Sequence, residues 1–558
     1  MQRSGRPKKP PRGKKVDAEL FSTGTGTGPQ ESVPDESQLA VRAYDEFPYE
    51  SYSFPLTHPE RLATIATLFG MQPAPAATAR VIELGCAAGG NLIPMALSMP
   101  GATFTGYDLS GVQVQQARDT IQALGLRNIA VEQRNILDAG SGPDKFDYII
   151  CHGVFSWVPE NVQEKILSIC REALAENGIA LVSYNTYPGW HMRESIRGMM
   201  RYHARQFDDP KVQVTQSRAL LDFLVKSVDS EKNPYGMYLA GELKLLSSTA
   251  DYYIAHEHLE HWNAPAYFHQ FIERVAPYDL QYLGEAEFST MVVKNFAAPV
   301  AETLSRGIRD VIRMEQYMDF IRNRTFRSTL LCHRERQLDR NVDSARVTGL
   351  YVAAGVEPAD AKADVRIAQQ EAFKTLGGIQ FQTAVPLTKA AIRILAAAWP
   401  RAIPFADLLA SAQRLLGAAG ASAGAEAGQR LAADILQLYA ANAVELHSIP
   451  SSFVTAVSEK PRTNSLVRLQ ASQGARVTNL RHESLRVNDV ERRTLALLDG
   501  ARERREVIER LAAAVLSGEL TLKRGDQPIT DPADRLEQLG RFYDQLLPQF
   551  GKKALLVA

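Results

Sequence analysis

The chain has 558 residues, 45% apolar and 23% charged, with 63 basic and 63 acidic side chains. That length exceeds what one hydrophobic core supports, so two to four domains are expected, and the even charge balance points to neither nucleic acid nor a membrane surface. Cys86, Cys151, Cys170 and Cys332 lie far apart, which excludes a CxxC zinc pair or a disulfide framework; with no apolar run of membrane-spanning length and no signal-peptide core, a cytoplasmic protein without membrane insertion is expected.

Residues 1–38 read as a disordered tail, basic at first and then Gly/Thr-rich (TGTGTG, 23–28). Over 39–190 strand-like runs alternate with helical stretches: VIEL (81–84), TFTGYD (103–108), AVEQ (130–133), YIICH (148–152) and ALVSY (180–184). Between the last two, Val162, Ile166, Leu167, Cys170, Ala173 and Leu174 fall on one helical face, with Gly178 as a stop. Such alternation predicts an α/β domain with a mostly parallel sheet, whose ligands bind beyond the carboxyl ends of the strands. Residues 191–276 carry helical patterns alone and predict a helical insertion. Within 277–336, LQYLGEAEF (280–288) and TFRSTLLCHRE (325–335) read as strands completing the same sheet. Residues 345–455 follow a winged-helix-like order, interrupted by a Gly/Ala-rich linker at 417–428, and 456–558 form a second such unit. The recognition-helix candidate at 429–442 holds Arg430 as its only basic residue, so protein contact is expected there rather than nucleic acid.

The chemistry is concentrated at the strand ends. Gly85-Cys86-Ala87-Ala88-Gly89-Gly90 does not match the G-x-G-x-x-G turn that cradles a pyrophosphate. With Ala87 in place of the middle glycine, it resembles the E-x-G-x-G-x-G turn of class I S-adenosylmethionine methyltransferases, with Glu83, Gly85 and Gly89 in register and Cys86 and Asn91 beside them. Asp108, followed by Leu109, ends the next strand 23 positions after Gly85, where a carboxylate can accept hydrogen bonds from both ribose hydroxyls. RNILD (134–138) resembles the family's adenine-clamping segment and places Asn135 and Ile136 there, while FDYIICHGVFSWVP (146–159) resembles its fourth segment, ending in His152, Gly153 and Val154. The resemblance implies a Rossmann-like class I methyltransferase sheet over 39–190, S-adenosylmethionine as cofactor and S-adenosyl-L-homocysteine as product.

A narrower likeness lies in YDEFPYESYSFPLTHPERLATIATLFG (44–70), SYNTYPGWHMRESIRGMM (183–200) and HEHLEHWNAPAYFHQFIERVAPYDLQYLGEAEF (256–288). These resemble the rickettsial-type protein lysine methyltransferases of an outer-membrane protein, with their methyltransferase regulatory domain. That implies lysine N-methylation of a protein substrate, a homodimer, and accessory domains that help recognise the substrate.

Methyl transfer from a sulfonium is an in-line displacement, so positioning is the protein's main contribution. Aromatic rings can shelter both the sulfonium and an alkylammonium. Tyr44 and Tyr52 are candidates for closing over the cofactor, and Tyr184, Asn185 and Tyr187 for lining the acceptor channel. His152 is open to two readings, general base or cap of the adenine pocket. The run His256-Glu257-His258-Leu259-Glu260-His261 lacks H-E-x-x-H spacing and reads as polar helix surface, so no metal is expected. Two competing functions stay open: a small-molecule methyltransferase with a helical lid, and a cofactor-binding regulatory scaffold.

Overall fold

The computed structural model describes residues 50–140, 145–229, 231–417, 426–524 and 527–558. The N-terminal tail, Tyr44 and most of the Gly/Ala-rich linker lie outside the described residues. The chain divides into two compact units, one containing Gly189–His261 and the other Ser51–Pro188 with Trp262–Ala558.

The larger unit is built on a seven-stranded sheet: β1 Arg80–Leu84, β2 Thr103–Asp108, β3 Ile129–Gln133, β4 Phe146–Cys151, β5 Leu174–Asn185, β6 Leu280–Glu285 and β7 Phe326–His333. Its order is β3-β2-β1-β4-β5-β7-β6. β1 to β5 pair in parallel, and β7 runs antiparallel to both β5 and β6. Both faces are covered, which is why the strands read as continuous apolar runs. Val81, Tyr148, Ile150 and Leu181 enter one core, whereas Ile82, Ile149, Val182 and Tyr184 enter a second on the opposite face.

Two expectations change here. The helix after β4 ends at Glu172, and Leu174 already belongs to β5. Leu174 pairs with Phe146 and Ile179 with Tyr148, so an irregularity takes up the intervening residues. A Cβ at Gly178 would stand 2.7 Å from the Leu174 side chain, so this glycine serves a close approach within the strand rather than a helix stop. The helix Phe268–Val275, assigned from sequence to the insertion, lies in the sheet's unit and packs Phe271 and Val275 into the second core.

The smaller unit packs helices Gly189–Ala204, Pro210–Ser227 and Pro234–Ser247 around Ile196, Met200, Leu221 and Leu239. In it the histidine run departs from its surface reading: His256 and His258 are buried within a single wide turn, Ala255–Leu259.

Beyond the sheet, strands of three to five residues between Tyr351 and Thr383, unanticipated from sequence, join helices Pro386–Ala398, Phe405–Leu416 and Glu426–Ala440. Helix Glu426–Ala440 buries Leu431 and Ile435 and stacks Tyr439 on Phe288, with ring centres 5.1 Å apart. The last module holds helices Ser465–Gln473, Asp489–Leu497, Arg504–Leu516 and Pro532–Lys552, with a hairpin of Arg476–Thr478 and Ser484–Arg486 between the first two.

The reversed edge is fastened by one buried cation. Arg327 on β7 meets Glu285 at 2.7 Å, Asp319 at 2.8 Å and Glu315 at 3.0 Å, and lies 3.8 Å over the Phe268 ring. Burial pushes the Glu315 carboxyl up to about 7 against the pull of Arg327. Removing one partner of such a cluster leaves uncompensated buried charge, costing about 3–5 kcal/mol. Arg327→Met is therefore expected to lower the denaturant-derived unfolding free energy by roughly that amount; a loss within the scatter of surface variants would remove Arg327 from this role.

Candidate active site

β1 delivers Glu83 and then breaks into the turn Gly85–Gly90. Gly85 sits at φ +77° with Val154 so close that a Cβ would meet it at 2.4 Å, so only glycine fits. The Gly85 and Cys86 N–H groups both donate to the Tyr107 carbonyl, at 2.8 and 3.1 Å, tying the turn to β2. Ala87 takes φ +47°, a left-handed conformation held by its N–H donating to Asp108 Oδ2 at 2.7 Å. The other Asp108 oxygen accepts from the Ser110 N–H at 2.9 Å. A carboxylate in this position accepts from backbone on both of its oxygens and ties the end of β2 to the turn. Cys86 turns its side chain into the first core, where burial pushes the thiol up, so it offers only backbone to the turn. Leu109 likewise gives its carbonyl to Gln133, at 3.2 Å.

The segment before the first helix lies across this turn. Gly90 N–H donates to Ser51 Oγ at 2.8 Å, and a Cβ on Gly90 would stand 2.4 Å from the Ser51 carbonyl oxygen. Asn91 is committed entirely within the protein. Its Nδ2 donates to Glu83 Oε1 at 2.8 Å and to Thr57 Oγ1 at 2.9 Å. Its Oδ1 accepts from Phe54 N–H at 3.0 Å and lies 2.8 Å from His482 Nε2, while the single Thr57 hydroxyl hydrogen goes to the Phe54 carbonyl at 2.9 Å. The Asn91 side chain is thus spent on bracing the turn rather than left for a ligand. Glu83 has a buried second oxygen, Oε2, with no partner among the described residues. Burial pushes its carboxyl up to about 8, with Asp108 adding to the rise and the Asn91 bond opposing it. A buried carboxyl with an unpartnered oxygen two residues before a glycine turn suits a cationic ligand group.

The remaining strand ends converge on the same edge. Asn135 accepts from the Leu137 N–H at 3.0 Å and sets the turn that presents Ile136. The His152 ring lies against Phe54, centres 4.4 Å apart, and meets the Phe326 ring edge-on at 5.9 Å. Burial lowers its imidazole to about 4, so the ring is neutral and too weak a base to take a proton from an ammonium group. Of the two readings, general base and cap of the adenine pocket, the first does not fit this geometry. Gly153 sits at φ +72°, and among the described residues nothing lies within 4 Å of where a Cβ would be. Its N–H donates to Ser183 Oγ at 2.8 Å.

On β5 the alternation of faces separates the acceptor candidates. Asn185 is buried at the edge of the site, its N–H donating to Ser156 Oγ at 2.8 Å and its Nδ2 to Asn263 Oδ1 at 2.9 Å. Tyr187 follows, with its ring 5.3 Å from that of Tyr267. Tyr184 is not brought to the cluster: it is buried in the second core, stacked on Phe271 at 4.1 Å, with its hydroxyl 3.3 Å from Thr329 Oγ1. Tyr52 lies beneath the Arg476 guanidinium at 4.4 Å. Phe54, Thr57, Asn263, Phe326 and His482 escaped the sequence reading; all but His482 lie in stretches that read as family-like segments or strands, but no local signal marks any of them individually. Among the described residues no group of ligating side chains could hold a metal ion.

Three families match the chain: a "methyltransferase domain" over 76–225, a "predicted methyltransferase regulatory domain" over 250–333 and a "PKMT, C-terminal winged helix domain" over 459–555. Uncharacterized protein RP789 of Rickettsia prowazekii is 37% identical over 521 residues, which cover 92% of this chain and 93% of that protein. The structure of PKMT2 from Rickettsia typhi superposes with a TM-score of 0.82 at 31% identity, covering 91% of this chain and all of that one. The same protein in complex with AdoHcy gives 0.81 at 31% identity over 92% of this chain.

Two outcomes follow from the turn. Ala87→Gly relieves a left-handed alanine and is expected to raise the unfolding free energy by about 0.5–1 kcal/mol, net of the added freedom of the unfolded chain. A destabilised variant would show that the alanine methyl group makes a packing contribution larger than its strain. Because the folded Glu83 carboxyl titrates near 8 rather than 4.5, the ligand-free folded state binds a proton that the unfolded state has lost. Wild-type stability therefore declines as pH rises from 4.5 towards 8, and Glu83→Gln should gain steadily on wild type across that window in pH-dependent melts. Parallel curves would contradict the assignment.

Proposed function

The chain belongs to the PKMT family of class I S-adenosylmethionine-dependent methyltransferases with a methyltransferase regulatory domain, and from that premise we propose that it transfers methyl groups to lysine side chains of a protein substrate. The observation that carries the lysine reading is the extent of the likeness. It spans the sheet, the regulatory region and the C-terminal module rather than the cofactor-binding sheet alone. A homodimer belongs to the same reading. No helix among the described residues is long and apolar enough to cross a membrane.

The residues fit the cofactor. In our reading Asp108 accepts from the ribose hydroxyls, Asn135 and Ile136 flank the adenine, and the backbone of Gly85–Gly89 with Gly153 borders the methionine end. The unpartnered Glu83 oxygen meets the cofactor's ammonium group, replacing a buried half-satisfied carboxyl with a charge pair. S-adenosylmethionine, when bound, supplies a sulfonium methyl open to in-line displacement by an amine lone pair.

The chain's own task is then to present that amine, dry and aligned. Asn263 fixes the Asn185 amide, leaving its carbonyl oxygen to orient an amine N–H. Phe54, His152 and Phe326 form an apolar, uncharged wall, and Tyr187 and Tyr267 add ring faces beside β5. An ammonium entering such surroundings gives up its proton more readily, because desolvation disfavours the charged form. Ring faces tolerate the cationic methylated product. With His152 neutral, turnover rests on desolvation and alignment rather than on a strong base.

Incubation of the purified protein with methyl-labelled S-adenosylmethionine and cell fractions is expected to place label in protein, recovered on hydrolysis as methyllysine. Label confined to small molecules would overturn the lysine reading, and no transfer at all would favour a regulatory scaffold. With the accepted substrate, Asn185→Ala should lower kcat by about ten- to a hundred-fold through misalignment. Full turnover would remove Asn185 from the acceptor site.

A further inference from the structure

The His482–Asn91 contact joins residues 391 positions apart, linking the tip of the C-terminal hairpin to the cofactor turn. Both side chains are buried. Asn91 has an unambiguous orientation, because the Phe54 N–H can only donate and so fixes Oδ1 on its side. Burial lowers the His482 imidazole well below its usual range, so the ring is neutral with a single N–H. Facing an acceptor that cannot donate, Nε2 must carry that hydrogen.

The hairpin tip is itself held firmly. His482 takes φ +62° in a turn closed by its N–H to the Asn479 carbonyl at 3.1 Å. Next to it Arg481 grips Glu445 of the middle module with two bonds of 2.9 and 2.8 Å and stacks on Trp399 at 4.4 Å. The tip that a winged helix would offer to DNA is thus spent inside this protein, and the His482 ring N–H ends on the amide that holds Glu83.

We propose that His482 is a positioning residue for S-adenosylmethionine: from the C-terminal hairpin it fixes the Asn91 amide, which aims Glu83 at the cofactor's amino group. This rests on the cofactor site assigned above, which is tested separately by whether the wild-type protein binds S-adenosylhomocysteine at all.

The test compares full-length His482→Leu, which keeps bulk without a donor, and His482→Gln, which restores an N–H at similar reach. The readouts are calorimetric Kd for S-adenosylhomocysteine, and KM for S-adenosylmethionine against kcat. Loss of one buried hydrogen bond to the brace should weaken both Kd and KM about ten-fold in the Leu variant, with kcat at saturation within about two-fold. The Gln variant should return to within about three-fold of wild type. Leu and Gln variants that are equally tight, or equally weak with matching losses of melting temperature, would overturn the proposal. If the Leu variant does not fold, the wild-type protein decides by hydrogen exchange. Coupling is reciprocal, so S-adenosylhomocysteine should slow exchange at 476–486. Unchanged exchange there would overturn the proposal too.

Discussion

Glu83 and Asn91 share a 2.8 Å hydrogen bond where neither reaches water, and the shape of the active site depends on it. A buried carboxyl with one oxygen satisfied and one bare is costly. The chain tolerates it by surrounding the satisfied side with a brace that has no slack. The brace draws on the N-terminal segment through Phe54 and Thr57 and on the C-terminal module through His482. The other oxygen has no partner among the described residues. Strain at Ala87 and the close approach of Gly85 to Val154 belong to the same economy of space, keeping backbone rather than side chain next to the ligand.

The sheet supplies the edge on which this is arranged, and the reversed strand supplies its wall. β7 returns Phe326 to the side of His152 because Asn185 pairs with Phe326 in register. That register is locked one residue further along, where Arg327 gathers three carboxylates. A neutral histidine framed by two phenyl rings makes this wall apolar and uncharged. Such a surface suits a reaction whose nucleophile must arrive without its proton.

Much of this was legible in the sequence. The five parallel strands and their carboxyl ends stand out because burial on both faces leaves unbroken apolar runs between turn residues. Glu83, Gly85, Gly89 and Asp108 are legible because a fixed turn geometry demands them. The same two-sided burial hides which face a residue takes. Tyr184 and Asn185 look equivalent in SYNTY, yet alternation sends one into the core under Phe271 and the other to the site. It also blurs where the helix after β4 ends, since Ala173 and Leu174 continue the helical apolar spacing while pairing fixes Leu174 to β5. His482 was beyond reach. Its part depends on a contact across 391 positions, and its local pattern is that of any polar hairpin tip.

The central claim is that the bare oxygen of Glu83 receives the cationic end of the cofactor. With its carboxyl near 8 in the empty protein, Glu83 carries a proton at pH 7, and pairing with an ammonium group must expel it. Calorimetric titration with S-adenosylhomocysteine at pH 7, in buffers of different ionisation enthalpy, counts that proton directly. The account predicts release of about one proton per ligand bound, vanishing in Glu83→Gln. Binding with no proton released by the wild-type protein would contradict it.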